Sequence, residues 1–218
     1  MKGLFVTGTD TGVGKTIAAA ALMHRYRDLA RLRYWKPIQT GIEIDDDTTT
    51  VRRQGACAEE EIFAQGVRLP KPVSPHLAAR WAGQQIDLTA LRGMLPHDGT
   101  SWIVEGAGGV LVPVNDTQTM ADWIALLALP VLVVARTGLG TINHTLLTLE
   151  ALRSRSLALA GVMMIGEPNP DNREAIEHYG RVPVIAEMPF LTPLDAGLLG
   201  AWSVTHLDPR GHLLEHLR

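Results

Sequence analysis

The sequence predicts a single α/β domain, an open and mostly parallel sheet with helices on both faces. Three observations lead there. Short apolar runs recur along the 218 residues and alternate with helical patterns. Two of the runs, Val131–Val134 and Val162–Ile165, are apolar without alternation, as strands covered on both faces are. A loop rich in Gly and Thr, ending in Lys15-Thr16, joins the first run to the first helical pattern. Right-handed crossovers then gather the carboxyl ends of the strands along one edge, where ligands bind.

Each element follows in order. The apolar run Leu4-Phe5-Val6 places the first strand at Leu4–Thr7, and Ile17–Leu22 carries a helix over Lys15–Asp28. A second strand, Arg33–Pro37, ends in Lys36-Pro37. Residues 42–72 are polar and charged early and contain Pro70 and Pro72 late, so they read as an irregular, partly mobile excursion over the ligand edge. Helices are expected at 74–83 and 87–95, then a strand Trp102–Glu105 that closes on a carboxylate and glycines. Asp122 and Pro130 divide 119–134 into a helix, Met120–Ala128, and a strand, Val131–Ala135. The helix Asn143–Ser154, the strand Gly161–Ile165, the helix Asp171–Tyr179 and the strand Val182–Glu187 complete the pattern. No role is assigned to the tail 196–218, and one domain is expected over 1–218. The five tryptophans are scattered and read as core or rim packing.

Composition bounds the function. Hydrophobic residues make up 46% and charged residues 20%, an ordinary globular balance, and the formal net charge of −3 offers no electrostatic surface for nucleic acid. No apolar run reaches the roughly 18 residues of a membrane span, and no signal-peptide pattern opens the chain, so a cytoplasmic protein is expected. The one cysteine, Cys57, fits a reducing compartment and reads as a small packed side chain.

The loop Gly8-Thr9-Asp10-Thr11-Gly12-Val13-Gly14-Lys15-Thr16 carries the strongest chemical signal. Glycines between strand and helix let backbone N–H groups converge on phosphate oxygens, and the helix N-terminus adds a positive dipole end. Lys15 would reach the outer phosphates, and the Thr16 hydroxyl would face Mg²⁺. The spacing is one residue longer than the common G-x4-G-K-[ST]. Lys36, at a strand end beside this loop, reads as a second cation for a transferring γ-phosphate. As a strand-end charge it should contribute little to packing, so Lys36→Ala is expected to reduce turnover severely while leaving the protein folded.

Three further segments join the same edge. Among Asp45, Asp46 and Asp47, one carboxylate can complete a Mg²⁺ shell, the rest being solvated. Glu105, closing an apolar strand before Gly106-Ala107-Gly108-Gly109, occupies the Walker-B position. Gly138–His144 offers free N–H groups that suit a carboxylate, with Asn143 equally readable as a helix cap.

Taken together, GTDTGVGKT, WKPIQTG, the acidic run after it, PVSPHLAA at 72–79, VEGAGGVLVP at 104–113 and LGTINHTLLTLEAL at 139–152 resemble dethiobiotin synthetase, in that family's order, over about residues 1–190. The resemblance implies a P-loop NTPase-like fold and a cyclo-ligase reaction of biotin synthesis. In it, 7,8-diaminononanoate, CO₂ and ATP with Mg²⁺ give dethiobiotin, ADP and phosphate through a carbamate and a carbamic–phosphoric anhydride. Carried over by position, Lys15, Lys36 and Thr11 are catalytic, and Thr16, Asp47 and Glu105 hold the metal. Gly12, Val13, Gly14, Gly106, Ala107 and Gly108 belong to the nucleotide site, with Pro189, Phe190 and Leu191 covering the base. Thr11, Thr40 and Lys36 meet the carbamate or diamine end, and the backbone from Gly108 through Val110 and Leu111 to Val112 runs beside the substrate chain. The family is homodimeric, with the segment around Asn143 holding the partner's substrate tail; nucleic acid and membrane are not partners.

Two positions depart from the family's pattern. Gly12 stands where a glutamate is often found, and Ile165-Gly166 stands where Asn-Asp would read adenine. Without that amide the base preference should relax toward other nucleoside triphosphates. Two other classes compete. A ParA-like ATPase switch would carry a lysine where this chain has Asp10, and a cobyrinic-acid-type amidoligase would need a glutamine-hydrolysing domain that 218 residues do not accommodate.

Overall fold

A computed structural model describes residues 1–218. In chain order the elements are β1 (Lys2–Gly8), α1 (Lys15–Tyr26), β2 (Leu32–Trp35), β3 (Ile38–Thr40), α2 (Asp47–Gln54), β4 (Ile62–Phe63), β5 (Val67–Leu69), α3 (Pro75–Trp81) and α4 (Leu88–Gly93). They continue with β6 (Ser101–Gly109), α5 (Met120–Leu127), β7 (Val131–Arg136), α6 (Thr141–Arg153), β8 (Leu159–Ile165), α7 (Pro170–Gly180), β9 (Val184–Met188) and α8 (Ala196–His206). Seven strands form one parallel sheet in the order β4-β2-β6-β1-β7-β8-β9. Order reverses on either side of β1, so the loop after β1 opens into the crevice where ligands of such sheets bind. No helix is long and apolar enough to cross a membrane.

Strand alternation divides the core into two layers. Leu4, Val6, Tyr34, Ile103, Leu132 and Val134 face α1 and its neighbours, in a cluster that includes Leu22, Met23 and Leu199. Phe5, Trp35, Trp102, Val104, Val131 and Val133 face the other way, toward Trp123, Leu149 and Ile176. Trp35 meets Trp102, Trp123 and Phe63 edge-on, with ring centroids 5.8–6.3 Å apart. Trp81 lies outside this packing, 61% exposed on α3, contrary to the expectation of a core or rim residue.

The six expected strands and six expected helices all form, with ends shifted by a few residues. The excursion 42–72 differs. It holds α2, β4 and β5, and β5 pairs with β3 in a separate two-stranded parallel sheet. Like charges and β-branched residues gave Asp45–Val51 no helical pattern, yet Asp46 caps α2, accepting from the Thr48 and Thr49 N–H groups at 2.9 and 3.2 Å. The tail is likewise structured. Asp195 caps α8, and the chain returns to bury Leu207, Leu213 and Leu217 under the edge of the sheet opposite the phosphate loop. There Asp208 is fully buried and accepts from Tyr26 Oη at 2.6 Å and from the N–H groups of Leu213 and His212 at 2.7 and 2.9 Å.

Candidate active site

The phosphate loop rests on backbone conformations that only glycine adopts without strain. Gly12 and Gly14 have φ of 71° and 97°, and a Cβ on Gly14 would meet Ile165 Cδ1 at 2.7 Å. The N–H groups of Gly12, Val13, Gly14, Lys15 and Thr16 take no acceptor within the chain. They are the free donors that a phosphate group needs. Lys15 Nζ donates to the Asp10 carbonyl at 3.0 Å, folded back over the loop.

Sheet register brings the other charges beside it. Trp35 stands opposite Val104, and Glu105 stands opposite Val6 on the other side of β6. Lys36 therefore emerges next to Glu105, on the face from which α1 presents Thr16. Lys36 Nζ donates to Asp47 Oδ2 at 2.6 Å, Glu105 Oε1 at 2.8 Å and the Gly106 carbonyl at 2.9 Å, so all three ammonium hydrogens are engaged. Thr16 Oγ1 lies 2.8 Å from Asp47 Oδ1 and 3.0 Å from Glu105 Oε1. Of the three adjacent aspartates, Asp47 turns into this cluster, Asp46 serves as the helix cap and Asp45 stays at the cavity rim.

The electrostatics follow from this packing. Burial, reinforced by the charge of Lys36, holds the Lys15 ammonium below the ordinary lysine range. Burial also acts to lower Lys36, but Glu105 and Asp47 outweigh it and leave its ammonium above that range. Burial would raise Asp47, but the Lys36 charge and the bonds from Lys36 and Thr16 overcome it and keep the carboxylate ionised to lower pH. Cys57 is pushed to about 11 by burial, which makes it a protonated packing residue and not a nucleophile.

A cavity of about 660 Å³ opens over these groups. Its walls include Thr11, Gly12, Gly14, Lys15, Thr16, Lys36, Thr40, Asp47, Glu105, Ala107, Gly108 and Val112. An adjoining recess of about 380 Å³ shares Gly12, Gly14 and Ile17 with it. Val13, Ile165, Pro189, Phe190 and Leu191 make that recess apolar, and Arg136 is its one charged side chain. The Arg136 guanidinium donates to Asp10 Oδ2 at 3.1 Å.

Val110, Leu111 and Asn143 lie off the walls of both cavities. The turn closed by Val112 N–H and the Gly109 carbonyl sends the Val110 side chain into the core and leaves Leu111 52% exposed, while Gly108 and Val112 line the cavity on either side; the expectation for this stretch concerned its backbone, not these side chains. Asn143 is not a helix cap. Gly140, at φ 91°, takes that place, and Asn143 lies exposed in the first turn of α6, away from both cavities. The N–H groups of Ile142 and Asn143 take no acceptor in the chain, which leaves the anion-site reading of this helix end standing.

Three residues at the site were given no role by the sequence, although Gln39 lies within WKPIQTG. Tyr34 donates to Glu105 Oε2 at 2.8 Å. Gln39 Oε1 accepts from the Asp47 N–H at 3.3 Å. Arg136 completes the recess. Only the period-2 spacing of Tyr34 from Lys36 could have pointed to the first of them.

Thr16, Asp47 and Glu105 fit a magnesium ion. They bring hard oxygens and two negative charges into mutual hydrogen-bond range. No group of three or more His, Cys, Asp or Glu side chains in the chain could hold a metal unaided. Two carboxylates and a hydroxyl are a donor set of the kind Mg²⁺ accepts, one that phosphates and water would have to complete.

Comparison with known proteins agrees with this geometry. A family model described as an AAA domain matches residues 2–197. The ATP-dependent dethiobiotin synthetase BioD of Paramagnetospirillum magneticum is 49% identical over 199 residues, covering 91% of this chain and 93% of that protein. The biotin biosynthesis bifunctional protein BioCD of Bordetella avium is 47% identical over 203 residues; the match covers 93% of this chain but 42% of that longer protein. Among solved structures, a ParA family ATPase from Chlorobium tepidum superposes with a TM-score of 0.57 at 10% identity, over 93% of this chain and 98% of that one. That likeness speaks for the fold alone. A phosphate loop, two carboxylates and a buried lysine on one sheet edge, together with near-half identity along almost the whole length, place the chain in the ATP-dependent dethiobiotin synthetase family.

Proposed function

We propose that the chain, an ATP-dependent ligase of biotin biosynthesis by its family, converts 7,8-diaminononanoate and CO₂ to dethiobiotin with Mg²⁺ and ATP. One amine adds to CO₂ and loses a proton to give a carbamate. A carbamate oxygen attacks the γ-phosphorus, the bond to the β-phosphate oxygen breaks and ADP leaves. The second amine then attacks the carbamoyl carbon of the mixed anhydride, closes the cyclic urea and expels phosphate.

The observation that carries this reading is the charge arrangement around one cavity. Two anions, a carbamate and a triphosphate, must meet there, and Lys15 lines it from the start of α1 and Lys36 from the end of β2. The free N–H groups of Gly12–Thr16 would cradle the phosphates. Lys15, its ammonium already desolvated, would engage the outer phosphates. Thr11 and Thr40, which also line the cavity, would orient the carbamate or the free amine. Thr16, Asp47 and Glu105 would hold Mg²⁺, which when bound neutralises charge developing on the phosphates. The apolar recess under Pro189, Phe190 and Leu191 would take the base. A homodimer would bring the free helix end at Asn143 to the partner's substrate carboxylate, completing a site that one chain leaves open at that side. A cytoplasmic location fits such chemistry.

Phosphate release is the direct test. It is expected to require diamine and bicarbonate together, and steady ATP hydrolysis in the absence of both would instead favour a ParA-like switch. Base preference gives a second expected result. The recess offers apolar contact and the donors of Arg136, but no side-chain amide to read adenine. Apolar pockets discriminate by only about 10–200-fold. ATP, CTP, GTP and UTP are therefore expected to differ by no more than about 200-fold in kcat/KM; a larger preference for ATP would refute the relaxed base preference.

A further inference from the structure

We propose that Tyr34 is a positioning residue that aims Glu105 at the reaction site. The proposal rests on the reading of Glu105 as a metal-holding carboxylate. Tyr34 is fully buried in β2, two residues before Lys36 and thus on the same face of the sheet. Its hydroxyl donates to Glu105 Oε2 at 2.8 Å, while Oε1 receives Lys36 at 2.8 Å and Thr16 at 3.0 Å. The two carboxylate oxygens thus have separate duties: one is anchored in the core, the other faces the cavity.

Glu105 is 1% exposed, so no solvent stands ready to replace the tyrosine. Without the hydroxyl, Oε2 loses its one protein partner and the carboxylate is free to turn about its last torsion, where rotamer preference is broad. It would then seek Thr16 or Lys36 with both oxygens and present neither in a fixed direction. Outer partners of metal-holding groups act in this way, and their loss typically costs about 10–100-fold in metal affinity or activity. A tyrosine serving only the core would need no more than any acceptor for its hydroxyl; this one is spent on the carboxylate that also contacts Lys36 and Thr16.

Tyr34→Phe removes the one oxygen and keeps the ring that packs the core. Binding of Mn²⁺ as a probe metal, followed by electron paramagnetic resonance on the full chain with a non-hydrolysable ATP analogue, is expected to weaken about 10-fold or more. In steady state the Mg²⁺ concentration for half-maximal rate should rise in parallel, with kcat at saturating Mg²⁺ within about threefold of the parent. Melting temperatures of the same samples separate lost packing from lost aim. Wild-type metal affinity in Tyr34→Phe, whatever its melting temperature, overturns the proposal. Glu105→Gln, run alongside, distinguishes the two possible failures. If Glu105→Gln weakens the metal and Tyr34→Phe does not, only the positioning role falls; if neither does, the metal reading of Glu105 falls with it.

Discussion

Lys36→Ala is expected to lower kcat by about 10²–10³-fold, the usual cost of losing one preorganised charge-stabilising donor, and also to destabilise the ligand-free protein by about 3–5 kcal/mol. The second effect reverses the expectation drawn from sequence, where a lysine at a strand end looked dispensable for packing. Its side chain is 4% exposed and is the cation that separates Asp47 from Glu105. Removing it leaves the buried Glu105 carboxylate facing the half-buried Asp47 carboxylate with only Thr16 between them. Urea unfolding with and without Mg²⁺ and nucleotide checks this: the variant should show a lowered midpoint that ligand partly restores, since a dication bound between the carboxylates would take over the neutralisation. A midpoint and turnover like those of the parent would remove Lys36 from both roles.

Asp208→Ala is expected to cost about 3–5 kcal/mol as well, at the other end of the molecule. The substitution strands the Tyr26 hydroxyl and two backbone N–H groups that now share one buried carboxylate. It also releases the segment that brings Leu213 and Leu217 under the sheet. Because this anchor lies at the edge opposite the phosphate loop, nucleotide affinity of the folded protein should stay within about threefold of the parent, the usual independence of distant sites. Calorimetric nucleotide binding and urea unfolding on one preparation test both halves; an unchanged unfolding midpoint would mean that the tail contributes no net stability.

How far the site could be read ahead of the fold depended on the kind of signal. The phosphate loop is local: glycines, Lys15 and Thr16 act within one strand–loop–helix unit, so contiguous residues suffice. Glu105 is nearly so, because an acid at the end of an apolar run has few other reasons to be there, although β6 itself does not stop at Glu105 as expected but continues through Gly109. Asp47 was legible only to the nearest few residues, since Asp45, Asp46 and Asp47 are chemically alike. Capping decided among them: once Asp46 bonds the Thr48 and Thr49 N–H groups, Asp47 enters the first turn of α2 and points at Lys36. Tyr34 and Arg136 carried no motif at all, and Gln39 lay within WKPIQTG without a role of its own, since a single residue on a strand does not announce its partner on another.

From the chain alone came the α/β class, the strand and helix succession, the phosphate loop and the kinship with dethiobiotin synthetases, because each resides in periodicity or in contiguous residues. Only the tertiary structure decided which carboxylates Lys36 bridges, that Val110 turns inward and Asn143 caps nothing, and how the tail is anchored. Those outcomes depend on strand register and on which groups lose water together, and both are properties of segments that meet only after folding.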